Sequence, residues 1–454
     1  MEVSALPHDP SLKYWLGKPV PRYTSYPPAT AFRADLPEAA YSNCIKQLAS
    51  DARLSLYIHI PFCRSLCLYC GCNTGVTNRA DRLEKYMSVL CKEIEQIARL
   101  LPKKAKVTSI HWGGGTPNIL TDHAITTLFA LLNRLFDLKE CREMAMEIDP
   151  RHADPKQMWL LASCGINRVS LGVQDFNEDV QRLVHRVQPF ATVKRACNAL
   201  HTAGIGAVNF DLMYGLPLQT PESVAETATL VTQLQPQRIS LFSYAHVPQF
   251  KKHQQALERA GIPDRFMRLA MDRAARDVFI ESGYEEIGMD HFALPGDSLL
   301  EAMRERRLHR NFQGYTEDNG GALIGFGASS ISHFPDAWFQ NERDTTLYET
   351  RLDMGLKSWT RGILLSAEDR LRAAIIEQLM CTLDCDIAEI CAAHDFPITR
   401  LASSLSGLTH LKNIGLIQKS GAQIKLISPY RMAIRAVCQA FDCYELSRTA
   451  SRVA

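Results

Sequence analysis

The chain has 454 residues, of which 46% are hydrophobic, and a formal net charge of +2. That length and apolar content support two or three folded units, and so balanced a charge gives no basic field of the kind that draws nucleic acid. No apolar run approaches the roughly 18 residues of a membrane span, and the 14 cysteines lack the density of a secreted disulfide scaffold, so a reduced, cytoplasmic setting without a membrane partner is expected.

Residues 1–50 open the chain as a proline-rich stretch with aromatic and basic groups, centred on Lys18-Pro19-Val20-Pro21-Arg22-Tyr23-Thr24-Ser25-Tyr26-Pro27-Pro28. Prolines at this density exclude a long helix or a central strand. The stretch is therefore predicted to be an N-terminal arm laid over the surface, closing with a short helix from Asp35 to Ser50. The apolar run Leu54 to Pro61 leads into Cys63-Arg64-Ser65-Leu66-Cys67-Leu68-Tyr69-Cys70-Gly71-Cys72. Cys63, Cys67 and Cys70, with three and two residues between them, can ligate three irons of a four-iron four-sulfur cluster. The fourth iron then stays open for the amino and carboxylate groups of a small molecule. Structural zinc is the competing reading, but it ordinarily needs a second Cys/His pair, and none with that spacing follows.

From Leu54 a short apolar run, a polar or glycine end and a helical stretch recur. The runs are Leu54 to Pro61, Val107 to Trp112, Met144 to Pro150, Arg168 to Phe176, Ala207 to Pro217 and Arg238 to Pro248. Between them lie amphipathic segments: Arg82 to Leu101, Thr121 to Phe136, Pro155 to Cys164, Phe190 to Ala203 and Pro221 to Leu234. Such alternation predicts an α/β fold with parallel strands and right-handed crossovers, here an open, partial TIM-type (β/α)6 barrel. Chemistry in such barrels sits at the C-terminal strand ends. The cysteines, Gly113-Gly114-Gly115-Thr116, Glu147, Gln174, Asp211 and Tyr244-Ala245-His246 occupy those ends in turn. Glycines there let backbone approach a small zwitterion closely. Glu147 and Asp211, set in apolar runs, need partners such as a ribose diol or an ammonium group. Arg186 can pair bidentately with a carboxylate.

Beyond Leu365 the pattern turns helical: Ala367 to Leu383, Ile387 to His394, Thr399 to Ile414, then a hairpin from Gly415 to Leu426 and a last helix after Pro429. Residues 365–454 are expected to form a small, mostly helical, winged-helix-like domain, with residues 51–335 as the barrel and its extension.

The CxxxCxxC spacing with aromatic Tyr69 before the last cysteine resembles the radical S-adenosylmethionine (SAM) enzymes. Cys72, together with PRYTSYP, HWGGGTP, MEIDP, SLGVQDF, QRLVHR, NFDLMYGLP, SYAHVP, IGMDHFALP, LHRNFQGY and GFGASSIS, narrows the resemblance to the oxygen-independent coproporphyrinogen III oxidases over residues 22–334. The resemblance implies that Cys63, Cys67 and Cys70 hold the cluster, and that Tyr57, Gly114, Glu147 and Ile331 contact the SAM on the open iron. Tyr69, Gly115, Thr116, Gln174, Arg186, Asp211 and Ala245 match positions that contact a second SAM. Cys72 and Tyr57 are expected to serve catalysis.

The implied reaction converts two propionates of coproporphyrinogen III to vinyl groups, giving protoporphyrinogen IX without oxygen. The protein is expected to be a monomer fed by a one-electron donor such as flavodoxin or ferredoxin. Arg22 is the candidate partner for a substrate propionate, because the proline before it limits the freedom of the arm. Two alternatives stand beside this reading: a haem-binding chaperone relative, which Cys72 and the arm oppose, and a radical SAM enzyme acting on another tetrapyrrole or carboxylate.

Overall fold

Strand and helix alternate from residue 53 onward, and three of the five helices between the strands open on a residue whose side chain satisfies a free N–H group. The order is β1 (Arg53–Ile60), α1 (Ala80–Leu100), β2 (Lys106–Gly114), α2 (Asp122–Leu135), β3 (Glu143–Ile148), α3 (Pro155–Ser163), β4 (Arg168–Gln174), α4 (Phe190–Thr202), β5 (Ala207–Tyr214), α5 (Pro221–Gln233) and β6 (Arg238–Ser243). Thr121 and Asp154 cap α2 and α3, and Thr220 with Ser223 forms a capping box at α5. The structure, a computed structural model, describes residues 19–49, 51–101, 104–427, 429, 431–444 and 451–452; residues 1–18 of the predicted arm lie outside these. The chain divides into two compact units, one of residues 32–211 and 318–364, the other of residues up to 31, 212–317 and from 365 onward.

In the first unit β1 pairs in parallel with β2, β2 with β3 and β3 with β4. On the other side of β1 lies β7 (Ala322–Phe326), also parallel, followed by antiparallel β8 (Ile331–Phe334), β9 (Ala337–Asn341) and β10 (Trp359–Leu364). The sequence reading placed no strand in this last stretch. The two faces of the strands differ in a way that positions the site. Val169, Leu171 and Val173 of β4 are fully buried, while Ser170, Gly172 and Gln174 between them are partly accessible. Val208 and Phe210 against Asn209 and Asp211 repeat the pattern in β5. With a period of two, one face packs and the other presents polar groups.

Asp318 closes the N-terminal ends of these strands, accepting hydrogen bonds from Ser55, from Thr108 Oγ1 (2.8 Å) and from Ser109 Oγ (2.6 Å). The N-terminal face of a barrel serves stability rather than chemistry. Asp318→Ala is therefore expected to lower unfolding free energy by about 1–3 kcal/mol in denaturant titrations.

In the second unit β6 pairs antiparallel with His291–Ala293, which pairs with Glu285–Ile287. Helices Ala367–Thr382, Ile387–Ala393 and Ala402–Asn413 precede a hairpin of Ile417–Ser420 and Gln423–Leu426. Strand Asp384–Asp386, absent from the sequence reading, joins that hairpin as a third strand. Leu383, at φ 62°, ends its helix in the left-handed region and turns the chain into this strand.

Two expectations for the arm are corrected. Val20, Tyr23 and Tyr26 are at most 5% exposed, so this stretch is built in rather than laid on the surface. Tyr23 Oη donates to Asp442 at 3.1 Å, and Arg435 donates to the Val20 and Pro21 carbonyls at 2.6 and 3.0 Å. The short helix starts at Ala40, not Asp35, because Pro37 takes a turn in which its carbonyl accepts the Ala40 N–H.

Candidate active site

The cysteine loop leaves β1 and is closed into a bay by a short parallel pairing of Phe62–Cys63 with Gly75–Val76. Gly75 N–H donates to the Pro61 carbonyl and Thr77 N–H to that of Cys63. Leu68 N–H donates to the Val184 carbonyl, tying the loop to the segment that carries Arg186. A ligating thiolate is stabilised by hydrogen-bond donors, and the bay supplies them. Thr116 Oγ1 donates to Cys63 Sγ at 3.3 Å, and Thr74 Oγ1 lies at the same distance. Arg186 Nη1 donates to Cys67 Sγ at 3.5 Å. Cys72 hydrogen-bonds Cys70 and lies within electrostatic reach of Cys63 and Glu147. No three such side chains among the described residues converge to hold a single metal ion. A four-iron cluster instead takes one thiolate per iron, and this donor set fits it.

The triple glycine at the end of β2 is required by what it touches. A Cβ on Gly113 would meet Glu147 Oε1 at 2.7 Å, and one on Gly115 would meet the Phe62 carbonyl at 2.5 Å. Gly114 has φ +114° and would drive a Cβ into the His59 ring at 2.5 Å. Gly114→Ala is expected to cost about 1–3 kcal/mol of stability. Gly206→Ala, facing open space, should be near neutral in the same melts and titrations.

Glu147 accepts a hydrogen bond from the Gly114 N–H at 3.1 Å and from His111 Nε2 at 3.3 Å. Burial raises its pKa, but His111, the Gly114 N–H and His59 prevail and hold the carboxyl below its ordinary range. At 39% side-chain exposure it still faces an open space. Tyr57 stacks on His111 at 5.9 Å, and its hydroxyl lies 3.0 Å from His59 Nδ1. His59 Nε2 donates to the Asn73 carbonyl at 3.0 Å, so neutral His59 uses Nδ1 as acceptor and Tyr57 is the donor. Burial pushes the His59 pKa down, which favours that neutral form.

Arg186, only 8% exposed, donates to the Gly172 carbonyl at 2.7 Å and to Asp149 at 3.3 Å. Asp149 also binds Arg151 at 2.6 Å. Burial opposes its charge, but Arg186 and Arg151 outweigh burial and hold its carboxyl down at about 2. Asp211 accepts from Ser170 Oγ at 2.7 Å and from Asn209 Nδ2 at 2.9 Å. Gln174 ends β4 at φ 68°. Tyr69 lies close to Cys67, Cys70 and Arg186. Ile331 opens β8, and Ser329 just before it reaches His59 Nε2 at 3.5 Å.

Thus Tyr57, the four cysteines, Tyr69, Gly114, Gly115, Thr116, Glu147, Gln174, Arg186, Asp211 and Ile331 belong to one unit. Ala245 and Arg22 belong to the other, where Gln254 Nε2 donates to the Ala245 carbonyl and Arg22 Nη2 to that of Ser243. His59, His111, Asp149 and Arg151 went unassigned from sequence. The signal was available for two of them, since Tyr57 with His59 and His111 with Gly113 share a face at period two.

The Radical SAM superfamily model matches residues 57–231. The chain is 40% identical to the oxygen-independent coproporphyrinogen III oxidase of Bradyrhizobium diazoefficiens over 94% of each chain. It is 39% identical to that of Escherichia coli K12, with 93% of each covered. It is also similar to the solved structure of the E. coli coproporphyrinogen III oxidase, a radical SAM enzyme, at TM-score 0.89 and 38% identity, covering 93% of this chain and 98% of that one. That likeness extends the partial barrel and helical C-terminal region to nearly the whole chain, and family membership brings with it a four-iron four-sulfur cluster and SAM. The chain therefore belongs to the oxygen-independent coproporphyrinogen III oxidase family of radical SAM enzymes.

Proposed function

We propose that the protein decarboxylates two propionate side chains of coproporphyrinogen III to vinyl groups, giving protoporphyrinogen IX in haem biosynthesis. The carrying observation is the cysteine bay after β1, with donors on Cys63 and Cys67, and the Glu147 carboxylate of β3 held by the Gly114 N–H at the end of β2, the strand between them. Cys63, Cys67 and Cys70 hold the cluster. The reduced cluster would supply the one electron that splits SAM, bound at its open iron, into methionine and a carbon radical able to take a hydrogen from the propionate β-carbon; loss of carbon dioxide and of one electron to an acceptor would then leave the vinyl group.

The chain's own groups bind and orient. Glu147, fixed by Gly114 and His111, accepts hydrogen bonds from the ammonium or ribose groups of SAM. Gly114 admits its backbone, and Tyr57 and Ile331 flank it and exclude water. Cys72 faces this space from the bay and serves turnover rather than ligation. A second SAM rests on Tyr69, Gly115, Thr116, Gln174, Arg186 and Asp211; Gln174 supports this by ending β4 and Asp211 by lying on the accessible face of β5. Arg22 binds a propionate. A flavodoxin or ferredoxin feeds electrons to a cytoplasmic monomer.

Anaerobic incubation with coproporphyrinogen III, SAM and a strong reductant, followed by oxidation and porphyrin chromatography, tests the reading. Protoporphyrin should appear with loss of coproporphyrin. SAM cleavage without consumption of coproporphyrinogen would assign another substrate, and haem binding without either would assign a binding protein.

A further inference from the structure

In the second unit three guanidinium groups gather around one carboxylate. Arg276 is accounted for by Asp272 at 2.7 Å and Glu286 at 2.6 Å, and Arg431 by Glu286 at 3.0 Å. Arg22, Arg310 and Arg435 have instead Asp290 as the carboxylate they share. Asp290 is already hydrogen-bonded by His291 Nδ1 at 2.7 Å, and Arg310 Nη1 stays 3.8 Å away from it. The Arg310 side chain is only 7% exposed, lies over the Tyr315 ring at 4.5 Å, and has no hydrogen-bond partner for Nε or Nη1 among the described residues. Glu377 does not neutralise it: that carboxylate accepts from the Arg310 backbone N–H at 3.1 Å and faces His309. Burial pushes the Arg435 pKa down to about 9, with Arg22 adding to the effect. An ordered, desolvated guanidinium with unused donors is costly unless something anionic completes it.

We propose that Arg22, Arg310 and Arg435 form a carboxylate-binding site for propionate side chains of the tetrapyrrole that are not decarboxylated. The inference rests on the substrate reading above and adds residues and a subset of propionates to it. The chemistry selects that subset. A guanidinium clamp stabilises the ionised carboxylate before reaction and opposes its departure as carbon dioxide, so it suits the groups that must be held, not lost. Arg310 supplies open N–H groups, and Arg22, whose Nη2 donates to the Ser243 carbonyl, a second guanidinium. Arg435, bound to the Val20 and Pro21 carbonyls, fixes the backbone beside Arg22 and adds charge.

The test uses the full, anaerobically reconstituted chain and the fluorescence of coproporphyrin III, with its tetramethyl ester as a probe lacking carboxylates. Arg310→Gln and Arg22→Gln are each expected to weaken coproporphyrin binding about thirtyfold or more and to raise KM for coproporphyrinogen more than they lower kcat. Ester binding should not change. Arg22 is solvent-reachable, so its variant decides the matter if Arg310→Gln fails to accumulate. Equal affinity of wild type and variants for coproporphyrin would overturn the site, as would equal losses for acid and ester. Wild-type protein that cleaves SAM but leaves coproporphyrinogen untouched would instead overturn the substrate reading.

Discussion

Cys67→Ala is expected to leave the anaerobically reconstituted protein without iron–sulfur absorbance and without SAM cleavage, and Cys63→Ala and Cys70→Ala should do the same. Each thiolate holds one iron, and water at that position cannot replace the charge or the bond strength of sulfur. The bay adds a reason specific to this chain: Arg186 and Thr116 are aimed at Cys67 and Cys63 and would lose their acceptor. Cys72→Ser should keep the absorbance and lose turnover, because its sulfur lies beside Cys70 at the exposed side of the bay. Bleaching by Cys72→Ser with retention by Cys70→Ala would overturn the ligand assignment.

Glu147→Ala carries the second large effect. Charge-assisted hydrogen bonds contribute about 1.5–3 kcal/mol each, so SAM affinity should fall roughly 10- to 100-fold in an equilibrium titration. Cluster content should not change, since Glu147 touches Gly114 and His111 rather than a cluster sulfur. Glu147→Gln keeps the shape and removes the charge, so an intermediate loss there would assign the effect to the ionised form. Unaltered affinity would return Glu147 to a structural role in holding the β2 end.

Much of this site was legible because barrel chemistry gathers at strand ends. Apolar runs marked β1 to β6 within a few residues, and the polar residues singled out in or just after the first five runs lie in the first unit, whereas Ala245 of the sixth lies in the second. Two features escaped. The strands between residues 285 and 364 escaped, although β8 and β9 pair as a local hairpin across a two-residue turn; β7, in contrast, takes its parallel partner β1 from far along the chain. Asp149 and Arg151 were hidden because they act just beyond β3, where Asp149 meets Arg186 from a distant segment. His59 and His111 were legible as sharing faces with Tyr57 and Gly113, but their pairing rests on cross-strand register. The expectation that Asp211 is a buried, needy carboxylate also changes. It lies on the accessible face and takes Ser170 and Asn209 as donors, which period-two alternation of β5 already contained.

The central claim is that this chain directs a SAM-derived radical at a propionate β-carbon. Coproporphyrinogen III deuterated at its propionate β-carbons, incubated anaerobically with the reconstituted protein, SAM and reductant, reports on that directly through the mass of the 5'-deoxyadenosine released. The account predicts 5'-deoxyadenosine carrying deuterium from the substrate, together with protoporphyrinogen IX. Unlabelled 5'-deoxyadenosine alongside protoporphyrinogen formation would contradict it.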